Sequence, residues 1–251
     1  MFTAITNFFY IILYKPLFNL LILLYNYIPG NDFGIAIIVL TLIIRFILFP
    51  ISVKAVNSQK NLQKLQPKIK ELQKKYKDDK EKQAKEILNL YKTEKINPFS
   101  GLLLAIIQLP ILIALYQVFW NGLKPGNLDG LYTFIFNPGQ INTIFLYSID
   151  LSKPNIIFAI LAGLTQYFQT KMLTPKIDKN KNKQSGAPDF SQIMQNQMLY
   201  FFPIFTIIIL LGLPSALGLY WVVSGLFSII QQYIIFKKSP KNDSELETVK
   251  P

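Results

Sequence analysis

Arg45 lies within the apolar run Phe33 to Val53, and no other long apolar segment of the chain offers an Asp, Glu or His to neutralise it. A charged side chain at a bilayer centre costs roughly 2.5–3.5 kcal/mol on the lenient insertion scale, so it persists only facing water, protein polar groups or a ligand. The plain alternative is an arginine that snorkels to the headgroups. Eight residues separate it from Val53, however, about 12 Å of helix at ~1.5 Å per residue, which is beyond comfortable side-chain reach. Thr41, Arg45 and Ser52 are spaced by four and seven and so project from one face of a helix. Other apolar segments carry polar seams of their own: Thr165, Gln166, Gln169 and Thr170 in one; Trp221, Ser224, Ser228 and Gln231 in another; and Gln108 beside Pro110 in a third. Any single Ser, Thr or Gln commonly glues helices together in lipid. Four segments with such seams, one holding an unpaired arginine, point instead to a shared hydrated cavity.

The residues that are missing restrict the chemistry of that cavity. With no cysteine and no histidine, disulfides, thiolate chemistry and the commonest general base are excluded. Proton-coupled transport needs titrating groups inside the membrane, and voltage sensing needs repeated arginines. Hydrolysis needs a nucleophile with an activating base or a metal centre, and neither constellation is visible. The expectation is a protein that is not an enzyme, with no cofactor and no metal site. A groove with one fixed positive charge suits an acidic or polar segment of another chain, held transiently. A channel or transporter that binds an anion at Arg45 is a second reading, and a chaperone that docks folded subunits is a third.

The elements that must position these residues follow from hydropathy and charge. The chain has 251 residues, is 51% hydrophobic and carries a formal charge of +12, so apolar and basic stretches must be segregated. Roughly 20 helical residues cross a hydrocarbon core of about 30 Å. Five spans are expected, at 33–53, 98–123, 155–173, 198–213 and 215–236. They are joined by a basic segment at 54–97, a loop at 124–154, a basic loop at 174–197 and a tail at 237–251. Lysine-rich short loops stay cytoplasmic. That places Lys54 to Lys95, the cluster Lys176, Lys179, Lys181 and Lys183, and the C-terminal tail on one side, with loop 124–154 outside. Residues 1–32 have no basic residue before Lys15 and are interrupted by Lys15-Pro16, which favours an interfacial helix on the outer face; a sixth span is the rival. Leu62, Leu65, Ile69, Leu72 and Tyr76 form a three-four seam, and Asp78-Asp79 then supplies a cap for a second arm with Ala84, Leu88 and Tyr91. The expected result is a cytoplasmic helical hairpin. Its lysines, among them Lys68, Lys70, Lys74 and Lys75, either retain the loop inside or contact anionic phospholipid and ribosomal RNA.

Taken in order, several segments resemble the YidC family of membrane-protein insertases and its mitochondrial and chloroplast relatives. They are Lys15-Pro16-Leu17-Phe18-Asn19-Leu20-Leu21, the run Gly34 to Arg45, Leu65-Gln66-Pro67-Lys68-Ile69, the run Tyr91 to Pro98, Ile107-Gln108-Leu109-Pro110-Ile111, Ala114-Leu115-Tyr116 and the run Leu219 to Ser224. The resemblance implies an all-α, polytopic protein of the bacterial cell membrane. Five core helices would surround a hydrated groove open to cytoplasm and lipid, with a mobile hairpin and an outer interfacial helix. It implies that Arg45 is the groove arginine, that Thr41 and Trp221 face the inserting segment, and that Gln108 is part of the polar lining. Ser52, Gln166, Gln169 and Ser224 complete the expected groove set. The implied partners are nascent membrane proteins, the ribosome with its targeting machinery, and the general translocon. Gly225 stands where many relatives have Asn.

Overall fold

The computed structural model describes residues 2–97, 100–121, 128, 130–174 and 197–238. The chain begins with α1 (Phe2–Phe9), a π-helical turn (Tyr10–Tyr14) and α2 (Lys15–Tyr27), which ends where Pro29 and Gly30, at φ 77°, turn the backbone. Then come α3 (Phe33–Ile47), α4 (Phe49–Lys75), α5 (Lys80–Thr93) and α6 (Ser100–Asn121). A ribbon of two-residue strands, β1 (Ile144–Phe145) and β2 (Ile149–Asp150), pairs antiparallel with Ile144 opposite Asp150. The chain continues with α7 (Ile156–Leu173), a π-helical segment (Gln197–Phe201), α8 (Phe202–Leu210) and α9 (Ser215–Lys238). The fold is therefore all-helical apart from a ribbon too short to leave a period in the sequence. Lys176, Lys179, Lys181, Lys183 and Lys241 lie outside the described residues.

Short polar side chains set the helix starts. Asp32 Oδ1 accepts from Ile35 N at 3.0 Å, Asp79 Oδ1 from Lys82 N at 2.9 Å and Asn155 Oδ1 from Ile157 N at 2.9 Å, each satisfying a donor with no partner inside its helix. The expected continuous helix 33–53 is not found. The chain breaks at Leu48 and bends by 66° into α4. Pro50 marks the break: it has no N–H for the i−4 ladder and sits in the first turn of α4, where none is needed. Ser52 is consequently on α4, and its spacing from Arg45 does not put the two on one helical face.

The core is built where α2, α3, α6 and α9 meet: Phe18, Leu21, Phe33, Ile37, Leu40, Leu115, Phe119 and Leu217 are all buried. The Tyr25, Phe33 and Phe119 rings pack edge to face at 6.2 Å, the arrangement that aromatic quadrupoles prefer. The outer surface is equally apolar. Ile156, Ile160, Leu164 and Phe168 on α7, Ile204 and Ile208 on α8, and Leu226, Ile230 and Ile234 on α9 are exposed. An exposed apolar area of that extent belongs in lipid rather than water. Thr6–Tyr27, Ile156–Leu173 and Ser215–Lys237 are long and apolar enough to cross a membrane, as is the bent pair of α3 and α4 taken together; Ile106–Trp120 and Gln197–Leu210 are shorter.

The loop between α6 and α7 is fastened to the bundle through its backbone. Asn19 donates to Gly130 O at 3.0 Å and accepts from Tyr132 N at 2.6 Å; Asn26 donates to Phe136 O at 2.7 Å. Ser215 N and Ala216 N, at the start of α9, donate to Lys153 O and Leu151 O. Asp150 organises the second bend of this loop. Burial pushes its carboxyl up, but hydrogen bonds from Ser152, Thr143 and Lys153 outweigh that and lower the pKa from 3.8 to about 2. The folded-state value is depressed, so the contribution is complete above the unfolded pKa of 3.8 and is lost as pH falls through about 2. In thermal melts across that window, wild type is expected to lose stability while Asp150→Asn stays flat over the same range. A parallel fall in both would show that Asp150 is not the titrating group.

The basic segment folds as a helical hairpin. Leu65 and Ile69 on the first arm are buried, and Gln83 Nε2 on the second arm donates to Gln73 O on the first at 2.8 Å. Lys68 Nζ pairs with Glu94 Oε1 at 2.6 Å, so of the four lysines expected to be free for anionic contacts, Lys68 is already engaged within the chain. The pair is exposed to solvent and is worth at most about 1 kcal/mol. Lys68→Ala is therefore expected to leave the melting temperature of the whole protein nearly unchanged and to speed protease cleavage at the hairpin. Unchanged cleavage would show that the pair does not hold the arms.

Candidate functional site

Arg45 ends the polar seam of α3 and is half-buried. Its Nε donates to Ser224 Oγ at 2.6 Å, and its Nη2 donates to the same oxygen. Tyr220, one turn earlier on α9, is buried. Gln108, on α6, donates to the Tyr220 hydroxyl. Two contacts one turn apart on α9, Arg45–Ser224 and Gln108–Tyr220, thus tie α3 and α6 to that helix. No carboxylate takes part, so the positive charge meets only neutral oxygens. Two donors from one guanidinium converge on a single hydroxyl, which leaves its remaining N–H groups for another acceptor.

The other sequence-predicted residues fall into two groups. Ser52 accepts from Gln231 Nε2 at 2.7 Å and donates to Phe49 O at 2.9 Å, so it links α4 to α9. Gln166 Oε1 accepts from Thr206 Oγ1 at 2.7 Å and links α7 to α8. Thr41 is buried and bonds back to Ile37 O at 2.6 Å, and Thr165 bonds back to Ala162 O at 2.9 Å. The Ser52 and Gln166 bonds are fastenings of the kind that hold helices together in lipid, whereas Thr41 and Thr165 spend their hydroxyls on their own helices. Arg45, Gln108, Gln169 and Trp221 are half-exposed. Loss of the Ser52–Gln231 bond should separate two helices; a double-mutant cycle of Ser52→Ala with Gln231→Leu is expected to give coupling of about 0.5–1.5 kcal/mol in detergent melts. Additive effects would contradict the contact.

Tyr220, Thr206 and Gln232 were not expected. Tyr220, Ser224, Ser228 and Gln232 follow one another at four-residue spacing, and all are buried. Gln232 Oε1 finds no partner among the described residues. That periodicity is visible in the sequence, but a tyrosine flanked by Leu219 and Trp221 reads as an interfacial aromatic rather than as part of a polar seam. The face that turns inward is thus one residue away from Trp221.

Gly225, one residue beyond Ser224, sets the approach of α7. A β-carbon there would stand 2.7 Å from Thr165 Oγ1 and 2.8 Å from its Cβ, so no side chain of Asn size fits in this packing.

The family model described as 60Kd inner membrane protein matches residues 23–242. The chain is 35% identical over 208 residues to the membrane protein insertase YidC of Fusobacterium nucleatum, covering 83% of this chain and 88% of that protein. It is 35% identical over 216 residues to the membrane protein insertase YidC of Clostridium tetani, covering 86% and 87%. The match to the protein of the same name from Lawsonia intracellularis, 35% over 228 residues, covers 91% of this chain but only 39% of that longer relative. Among solved structures, an active YidC insertase with its first transmembrane domain resolved superimposes with a TM-score of 0.55 at 29% identity, covering 81% of this chain and 42% of that one.

Proposed function

The chain belongs to the 60Kd inner membrane protein family of YidC insertases, and from that premise we propose that it inserts nascent membrane proteins into the bacterial cell membrane. A substrate's polar flank is received beside Arg45, Gln108 and Trp221, and its apolar part leaves sideways into lipid. No covalent chemistry is involved. The gain is a lowered barrier, because polar groups cross part of the bilayer against protein donors and water rather than hydrocarbon. The observation that carries this reading is the guanidinium on α3 held by a neutral hydroxyl, with donors to spare and no carboxylate partner among the described residues.

Orientation and topology belong to the same proposal. The basic hairpin and the C-terminus are cytoplasmic by their lysines. Residues 15–27 lie along the membrane face rather than across it. Asn19 and Asn26 both hold the same irregular loop, over about 10 Å of helix at ~1.5 Å per residue. If α2 crossed the bilayer, that loop backbone would sit inside hydrocarbon, where lipid-exposed irregular structure is not tolerated. Lys70, Lys74 and Lys75 are the hairpin lysines offered to ribosomal RNA, targeting factors or anionic phospholipid. The general translocon is a further partner for lateral delivery.

The test is reconstitution of the purified protein in vesicles with a stalled single-span substrate carrying an acidic translocated flank. Protease protection of that flank is the expected result. Anion flux without protection would favour the channel reading, and docking of folded subunits without protection the chaperone reading.

A further inference from the structure

The loop that covers α2 has a composition unsuited to water. From Gly130 to Ile149 there is not one charged side chain, and five residues are aromatic. Some of these side chains pack inward: Ile135 and Phe145 are buried, and the Phe145 ring lies where a β-carbon on Gly34 would stand. Others point away from the protein. Tyr147 is 97% exposed, Phe136 77% and Tyr27, at the end of α2, 81%; Phe134 and Leu146 are exposed as well.

Backbone geometry shows that this exposure is held in place. Leu146 and Tyr147 occupy the two central positions of a turn closed by Ser148 N to Phe145 O at 3.1 Å, with φ of 48° and 60°. Both positions favour Gly or Asn, and a large L side chain there is disfavoured. The turn is pinned by Leu146 N to Asp32 Oδ2 at 2.9 Å, and Asp32 is the cap of α3. The Tyr147 hydroxyl is 3.8 Å from the place of a Gly30 β-carbon, and Phe136 O is held by Asn26. Tyr27, Phe136, Leu146 and Tyr147 therefore gather around the corner 26–32, level with the start of the α3 span.

We propose that this corner is an interfacial anchor, a turn that holds Leu146 and Tyr147 in the headgroup and upper acyl layer of the bilayer at the end opposite the hairpin. The occupant is the lipid surface itself. Three observations favour lipid. The loop exposes no charged side chain, its exposed polar groups being the neutral Thr133, Asn137, Gln140, Asn142 and Ser148 that an interfacial layer accepts. Its irregular backbone bars it from the hydrocarbon centre. The Phe145 ring at this turn packs on Phe158 at 6.4 Å, which sets the turn beside the start of α7, where Ile156 and Ile157 are exposed, and Tyr rings collect at membrane interfaces. Strained apolar residues at a turn tip are then explained by what they reach.

The chain has no cysteine, so Ser148→Cys carries a single environment-sensitive fluorophore on the whole protein, reconstituted in phosphatidylcholine/phosphatidylglycerol vesicles. Lys77→Cys, in the hairpin turn, is the aqueous control. The expected result is blue-shifted emission at 148, quenched by lipid carrying a spin label near the headgroup and spared by aqueous iodide, with the opposite pattern at 77. Emission at 148 matching that at 77 would overturn the proposal. So would shielding at 148 from both quenchers, which would mean that protein covers the turn. Introducing Leu146→Gly and Tyr147→Gly together should abolish lipid quenching at 148 while the melting temperature in detergent holds or rises, because glycine relieves the backbone. Undiminished quenching, or a joint fall of quenching and melting temperature, would also overturn it.

Discussion

Replacing Arg45 with glutamate is expected to abolish membrane insertion, with loss of growth in cells depleted of their own insertase. The guanidinium is held by Ser224 and stands next to Tyr220 and Gln108, all neutral. A carboxylate in its place reverses the sign of the one fixed charge and repels acidic flanks. It also sets a half-buried anion where the described neighbours of this cluster offer hydroxyls and an amide but no cation. Arg45→Ala is expected to fail for substrates with acidic or strongly polar flanks and to retain apolar ones. Arg45→Lys separates charge from shape: a lysine keeps the charge but has no planar fork to divide between Ser224 and an incoming acceptor. Survival of lysine where alanine fails assigns the role to charge. Normal insertion by Arg45→Glu, in protein shown to be folded by its melt, would remove the electrostatic role.

Gly225→Leu is expected to cost about 1–3 kcal/mol, the range for overpacking a well-filled contact. The clash is with Thr165 Cβ as well as Oγ1, so a rotamer change at Thr165 does not relieve it and α7 must move away from α9. Gly218, seven residues earlier, meets Phe158 Cβ at 2.9 Å in the same way, and the two helices therefore approach along a line of small residues. The measurement is the melting temperature in detergent, with Leu226→Ala, on the exposed face, as the neutral control. Because Ser224 is next to Gly225, displacement of α9 should also weaken the Arg45 contact, and insertion should fall with stability. A Gly225→Leu protein as stable as wild type would contradict the packing.

Part of this was legible in the sequence for physical reasons. Arg45 is conspicuous because a charge inside an apolar run has few places to go. The hairpin could be read because its seam repeats every three and four residues, and Asp79 caps α5 because a short side-chain acceptor at a break has that use. The break at Leu48 left a cue in Pro50, outweighed by the length of the apolar run. Ser52–Gln231 and Gln166–Thr206 were not readable as pairs. Such partners are brought together by tertiary packing, and nothing in local periodicity distinguishes a polar residue that fastens two helices from one that lines a groove. Thr41 illustrates this: it has the right spacing from Arg45, yet its hydroxyl is spent on its own helix. Tyr220 escaped because an aromatic among Leu, Trp and Val looks lipid-facing until the neighbouring helix is in place.

The central claim, that Arg45 and its half-exposed neighbours receive a segment of another chain, is tested most directly by crosslinking. Photoreactive residues at positions 108 and 221 are placed against ribosome-bound chains stalled during insertion, with position 160 on the exposed face of α7 as comparison. Adducts from 108 and 221 to the polar flank of the substrate, lost in Arg45→Glu, are the predicted result. Adducts equally strong at 160, or unchanged by Arg45→Glu, would contradict it.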